Sequence, residues 1–244
     1  MIRLTDACLE FARRTVSEAN GSAGRPGRPR SIRIFENPVL EFATRAHPVT
    51  PAIWFLPFLL WSSIHSFRAL GLGSSLPLFV CGWVGFSLFE YFLHRFAFHG
   101  LLRGAPSRRR QLWGFLLHGY HHHFPDDPMR LVMPPVISWP VALIFVAAYV
   151  LGLGPERAIP AIGGTLCGYL ALFSVHYYVH HGRPIRGPGA WLRRYHLRHH
   201  HQDPDSRFGV TSPLWDVVFR TTGTDSRPKP SSPACSASAA GRRK

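Results

Sequence analysis

The chain is short of acid. Its 244 residues carry 13 Asp and Glu against 28 Lys and Arg, a formal charge of +15. Cysteine is scarce as well: Cys8, Cys81, Cys167 and Cys235 lie far apart, and none belongs to a CxxC pair. That spacing excludes a disulfide framework or a zinc–thiolate site as the organising device. The amino terminus, MIRLTDACLEFARR, has no apolar run of the signal-peptide kind, so export is not expected. Charge is also missing from particular places. Four blocks of the chain are almost free of it, and the short stretches GLGSS at 71–75 and GLGPERA at 152–158 hold a single arginine, Arg157.

The basic residues sit elsewhere: eight arginines in residues 1–50, five in 99–135, and twelve Lys or Arg in 181–244. This alternation follows the positive-inside rule of membrane proteins. A nucleic-acid-binding surface has no reason to obey it, so no nucleic-acid partner is expected despite the basic charge. The apolar blocks, at about 51–70, 76–98, 135–154 and 158–180, are each about long enough to cross a bilayer at 1.5 Å per residue. The expected fold is therefore all-α and integral to the membrane, with four transmembrane helices in two hairpins. Both hairpins return to the basic side. That puts the amino-terminal segment, the 99–134 loop and the carboxyl-terminal region together in a cytosolic helical cap. Residues 1–50 read as an Arg-rich cytosolic segment with a flexible linker, GSAGRPGRPR, at 21–30, and a short amphipathic helix is conceivable near 3–19. Residues 51–221 form the membrane domain, and 222–244, rich in Ser, Pro and basic residues, read as a disordered tail.

What the chain has in excess is histidine. Thirteen of its 15 fall in four groups: His94 and His99; His118, His121, His122 and His123; His176, His180 and His181; and His196, His199, His200 and His201. His47 and His65 stand alone. Each group lies at or beyond the cytosolic end of an apolar block, so the topology gathers them into one layer beneath the membrane. In a helix, positions i, i+3 and i+4 lie within about 60° of the first residue. This selects His118, His121 and His122, then His196, His199 and His200, and the pair His176 and His180. His123, His181 and His201 come five residues after the first member, about 140° round, and point elsewhere. His94 and His99 share that spacing, so His99 is expected just past a helix end, where the chain turns it inward.

Ten imidazoles suit two ions with about five ligands each, leaving an open position on a six-coordinate metal. Structural zinc is four-coordinate and closed, whereas open, nitrogen-ligated iron is an oxygen-activating arrangement. A hydrolytic two-metal site carries bridging carboxylates, and none stands at matching positions. A passive metal-binding tract is contiguous and low in complexity, unlike these dispersed groups. A transporter places its ionisable residues at mid-membrane depth, and these lie at the helix ends.

The motifs EYFLHRFAFH at 90–99, LHGYHHHFPDDPMRLVMPP at 117–135, HYYVHHGRP at 176–184 and YHLRHHHQDPDSRFGVTSPLWDVVFRT at 195–221 resemble the fatty acid hydroxylase/sterol desaturase superfamily of membrane diiron enzymes. The fatty acid 2-hydroxylase branch is the most similar. The resemblance implies an oxidoreductase that activates dioxygen at two iron ions and hydroxylates a fatty acyl chain near its carboxyl end. It carries the metal-ligand role onto the ten histidines already selected. A desaturase or a carotenoid or sterol hydroxylase shares the same centre and is the alternative, with a non-catalytic membrane metal-binding protein behind it. Zinc in a purified sample does not identify the native ion, because imidazole sites accept several divalent metals. Tyr177 and Tyr178 are candidates to line the substrate path or to order the groups behind the metal ligands. Asp126, Asp127 and Asp203 are candidates to orient imidazoles, with capping or turn roles as the plain alternative. Arg130 is a candidate partner for a lipid carboxylate or headgroup, or else a structural salt bridge. Eukaryotic members usually carry an amino-terminal haem-binding domain. Residues 1–50 are too short and too Arg-rich for one, so a separate electron-transfer protein is the expected partner. The expected setting is the bacterial inner membrane or the endoplasmic reticulum.

Helical spacing yields a sharp asymmetry. His123→Ala and His201→Ala should keep oxygenase activity, and His122→Ala and His200→Ala should abolish it. Product formation by membranes containing each variant checks this.

Overall fold

A computed structural model describes residues 3–10, 30–100, 107–183 and 186–224. The elements, in order, are α1 (Pro38–Ala43), α2 (Thr50–Phe92), a π-helical turn (Leu93–His99), α3 (Arg108–Gly114), a second π turn (Phe115–Gly119), α4 (Tyr120–His123), α5 (Pro135–Leu153), α6 (Pro155–His181), α7 (Pro188–His201) and α8 (Leu214–Val218). A 3-10 turn spans Pro128–Arg130. Among the described residues the only β pairing is an isolated bridge between Leu4 and Phe35.

Three stretches are long and apolar enough to cross a membrane: Thr50–His99, Pro128–Leu153 and Pro155–His181. The first is not straight. At Gly71 the backbone takes φ 70° and ψ 168°, a left-handed conformation that ends the helix and that side chains with a Cβ resist. Beyond it the chain doubles back. The Ser75 hydroxyl donates to the Ser66 carbonyl at 2.8 Å, although nine residues of straight helix span about 13 Å. Ser62 and Phe79, on opposite arms, both border Gly163 of α6. Gly154, with φ 77° and ψ 162°, makes the matching break between α5 and α6. The two expected connections, GLGSS and GLGPERA, are thus hairpin turns made at glycine.

α6 is the centre of the bundle: half of its most apolar window is buried, against 17% and 6% for the other two stretches. Small residues let its backbone approach α2 closely, the usual device where no water drives helices together. A Cβ on Gly164 would lie 1.8 Å from the Phe79 carbonyl oxygen, and one on Gly82 would lie 2.0 Å from that of Ala161. Aromatic rings fill the remaining space. Phe55 packs on Trp139 and Tyr169 at 5.1 and 5.2 Å between centroids. They line an apolar cavity of about 250 Å³ together with Phe86 and Leu166. The outward faces carry exposed Ile53, Trp54, Trp61, Leu143, Ile144 and Leu151, an apolar belt too large for a water-facing monomer.

The amino-terminal region does more than link. Thr5 N–H donates to the Ile34 carbonyl at 2.9 Å, and Glu41 accepts from the Ile34 and Phe35 amides. The Ala46 amide donates to the Met129 carbonyl at 2.8 Å. Residues 3–10 and 30–46 therefore strap the 115–130 region, with Cys8 and Ile34 packed on Phe115, Tyr120 and Phe124. Of the expected helix at 3–19, residues 6–10 are helical. The rest of that call, the linker at 21–29 and the tail at 225–244 lie outside the described residues.

Gly164→Val should destabilise the bundle by at least ~2 kcal/mol, since overpacking against backbone cannot be relieved by a rotamer change. Gly73→Ala, at a position with nothing within 4 Å, should not. Thermal unfolding in detergent distinguishes them.

Candidate metal centre

At the end of the first hairpin the helix widens. Leu93–His99 is a π turn, whose i→i+5 bonding stacks residues five apart over each other. This brings His94 and His99 together, their rings 5.0 Å apart. His99 was expected beyond a helix end. It lies instead inside a continuous but wider helix, and the π geometry turns it inward. A second π turn, Phe115–Gly119, delivers His118.

The structure brings all ten selected histidines together and divides them in two. His94, His99, His118, His122 and His199 offer five nitrogens within 4.8 Å of one another, and His121, His176, His180, His196 and His200 offer a second five. The expected stripes are thereby split. His118 and His122 join the first group, but His121 joins the second; His196 and His200 join the second, but His199 joins the first. With 3.6 residues per turn, i+3 lies about 60° to one side of residue i and i+4 about 40° to the other. One His-x-x-His-His box therefore faces two points in space. Each group is built alike, from a pair at the end of one hairpin, an i, i+4 pair from one box, and a single histidine from the other box.

Neighbouring Nε2 atoms stand 3.0 Å apart between His94 and His118, and between His118 and His122. In the second group the separations are 3.0 Å for His176 and His121, 3.2 Å for His121 and His200, and 3.1 Å for His180 and His196. Ligands at right angles on bonds near 2.1 Å, a metal–imidazole length, lie about 3.0 Å apart. Two contacts settle a tautomer. Nδ1 of His94 donates to the Phe208 carbonyl at 2.5 Å, and Nδ1 of His199 donates to the Ser206 carbonyl at 2.6 Å. Their Nε2 lone pairs are then bare and turned inward. The donor set thus fits a pair of cations with nitrogen-preferring chemistry.

Burial keeps these imidazoles neutral. His118, His121, His122, His196, His199 and His200 are all held well below the usual 6.5, first by desolvation and then, for most of them, by neighbouring imidazoles. Phe208, itself fully buried, shields His94, His99 and His199 at 5.6–5.8 Å. Phe98 stacks on His118 at 4.9 Å.

The remaining candidates sit outside the two groups. His123 lies against Phe115, and His181 against Tyr177. His201 is exposed at the end of α7. Tyr177 is 40% exposed, and Tyr178 packs over Gly182 and Gly189 where α6 meets α7. Among the described residues, the partners seen for these three carboxylates are not the grouped imidazoles, and the Nδ1 atoms of His94 and His199 meet backbone carbonyls instead. Asp126 is exposed. Asp127 accepts from the Ser31 and Tyr120 hydroxyls at 2.7 and 2.8 Å and from the Met129 amide at 3.0 Å. Asp203 accepts from the Asp205 amide and lies 4.0 Å from Arg207. Arg130 is buried in an ion pair with Glu41, 3.8 Å from Asp127 and over the Tyr120 ring. It joins the amino-terminal strap to the turn at 127–130.

Two acids escaped the sequence reading. Glu90 is buried and accepts from the Val210 amide and the Thr211 hydroxyl, both at 3.1 Å. Asp216, fully buried, accepts from the amides of Phe208 and Gly209 at 2.9 Å. The available signal was their isolation: each is a lone acid in an apolar stretch, and such a residue needs a partner.

Apolar helices capped by two five-imidazole nests define a membrane metalloprotein of the histidine-box class. The chain belongs to the fatty acid hydroxylase family, whose sequence profile matches residues 79–221. It is 36% identical over 206 residues to the dihydroceramide fatty acyl 2-hydroxylase FAH1 of Arabidopsis thaliana, covering 81% of this chain and 82% of that one. It is 33% identical over 217 residues to human fatty acid 2-hydroxylase, covering 79% of this chain and 57% of that one. Among solved structures it is similar to scs7p, whose hydroxylase domain is visible, with a TM-score of 0.69 and 33% identity over 75% of this chain and 69% of that one.

Because the folded imidazoles have depressed pKa values, the unfolded chain binds more protons below pH 6.5. Stability of the metal-free protein should be full above that pH and fall steadily as pH drops below it. Melting temperature against pH, measured with chelator present, checks the sign.

Proposed function

We propose that this enzyme is a dioxygen-dependent lipid hydroxylase that inserts a hydroxyl into a fatty acyl chain next to its carboxyl end. One observation carries the proposal: ten imidazoles and, among the described residues, no carboxylate form two nests at the edge of an apolar bundle. His94, His99, His118, His122 and His199 hold one ion, and His121, His176, His180, His196 and His200 the other. Two iron ions bound there supply the oxygen activation that an unactivated C–H bond demands. The chain's own residues provide the setting. Phe208 and Phe98 exclude water from the first nest, which strengthens electrostatics inside it and protects reactive species from side reactions. The apolar cavity lined by Phe55, Phe86, Trp139 and Tyr169 offers space for an acyl tail. Tyr169 precedes His176 by seven residues, about 10 Å along α6.

The names of the relatives support the acyl 2-position and a sphingolipid-type acyl group. The break at Gly71 supports four membrane crossings, with the domain spanning 51–221, and the basic loops support a cytosolic cap with both termini on that side. A separate electron-transfer protein is the proposed electron source.

Lipid mass spectrometry of cells expressing the wild type or His121→Ala tests the reading. Acyl chains gaining one oxygen atom next to the carboxyl carbon, only with the wild type, are expected. A loss of two hydrogens instead identifies a desaturase, and unchanged lipids with metal still bound overturn the enzyme reading.

A further inference from the structure

The two nests are not held alike. In the first, His94 and His199 each direct Nδ1–H at a backbone carbonyl of one short loop, those of Phe208 and Ser206. In the second, the Nδ1 atoms of His196 and His200 are buried with no partner among the described residues. The loop that serves the first nest is itself unusual. Arg207, between the two accepting carbonyls, has φ 59°, a left-handed conformation that a residue with a Cβ keeps only where its surroundings impose it. The surroundings do impose it, through two buried carboxylates. Asp216 takes the amides of Phe208 and Gly209 on its two oxygens and the Thr221 hydroxyl on one of them, at 2.8–2.9 Å. Glu90, from α2, takes the next two donors, the Val210 amide and the Thr211 hydroxyl. The Arg207 amide is held by the Thr221 carbonyl at 2.7 Å. Thr221 is tied in turn to Tyr91, one residue from Glu90 and three from His94.

We propose that Glu90 and Asp216 are positioning residues for the first nest alone: they clamp the 206–211 loop so that its carbonyls fix which nitrogen of His94 and His199 faces the ion. This rests on the reading of the nests as metal sites and adds that the two are inequivalent. A hydrogen bond to the far nitrogen orients a ligating imidazole and raises its basicity, and losing such support costs about 10–100-fold in metal affinity. Asp216→Asn puts an N–H₂ where one amide donates, setting donor against donor at the loop's centre. Glu90→Gln does the same at its far end without changing volume.

The test follows metal, not turnover. Full-length protein purified from iron-fed cells is challenged with EDTA, and iron retained per chain is read over time. Wild type should hold two ions. Asp216→Asn and Glu90→Gln should release one of them at least ~10-fold faster and keep the other at the wild-type rate. The faster ion is assigned by ligand deletion. With the first nest removed by His122→Ala, adding Asp216→Asn should not alter release of the remaining ion. With the second removed by His180→Ala, it should accelerate release. Wild-type release of both ions in the two carboxylate variants overturns the proposal. So does equal acceleration of both ions, the mark of a general loosening, or an effect that survives His122→Ala. A wild type that never holds two ions overturns the metal-site reading as well. Two ions held without any lipid product overturn the hydroxylase reading alone.

Discussion

Ten imidazole nitrogens are forced to point at two places, out of water, and most of the structure follows from that. Each buried ring must stay neutral, because a lone ammonium-like charge in this setting has no carboxylate to meet it. Each inward lone pair, if unmet, repels its neighbour 3 Å away. A bound cation relieves both problems at once, and a fold that brings these rings together without one is under electrostatic load. The cap, the strap and the hairpin ends share that load by fixing where the rings can go.

The hairpins do so by ending at the same level. Gly71 and Gly154 reverse the chain on one side of the bundle, so the π turn Leu93–His99 and the end of α6 arrive together on the other. Close packing through Gly82, Gly163 and Gly164 brings α6 against both arms of α2. The π turn matters for the same reason. A regular helix leaves His99 well round from His94, and the extra residue per turn aligns them. Beneath these ends, the second π turn with α4 presents one box and α7 an equivalent one, and each box reaches into both nests. Neither nest is complete without the other's box, so the two sites are assembled as one object.

The loop at 206–211 is the least regular part of that object and the most heavily anchored. A network runs from Arg95 to the Tyr91 hydroxyl, then through Thr221 to Asp216, and from Asp216 to the amides that orient the carbonyl facing His94. It begins and ends on the same π turn. Buried carboxylates here hold backbone amides and hydroxyls.

Much of this was legible from the sequence because membranes enforce strong rules. Four uncharged blocks, basic connections on one side only, and histidines at the block ends were enough to give helices, hairpins and a shared layer. The 3.6-residue period picked the same ten histidines that converge in space and set aside His123, His181 and His201. What periodicity could not supply was which nest each ring joins, since one helix fixes an angle but not where its partner helix stands. His121 and His122 are adjacent in sequence yet belong to different nests, because His121 meets His176 and His180 of α6 whereas His122 meets His99 of the π turn and His199 of α7. The same limit hid the carbonyls of Ser206 and Phe208, the roles of Glu90 and Asp216, and the strap. These depend on contacts between residues as far as 130 positions apart. Sequence period determines which face of a helix carries chemistry, and tertiary packing decides what that face meets.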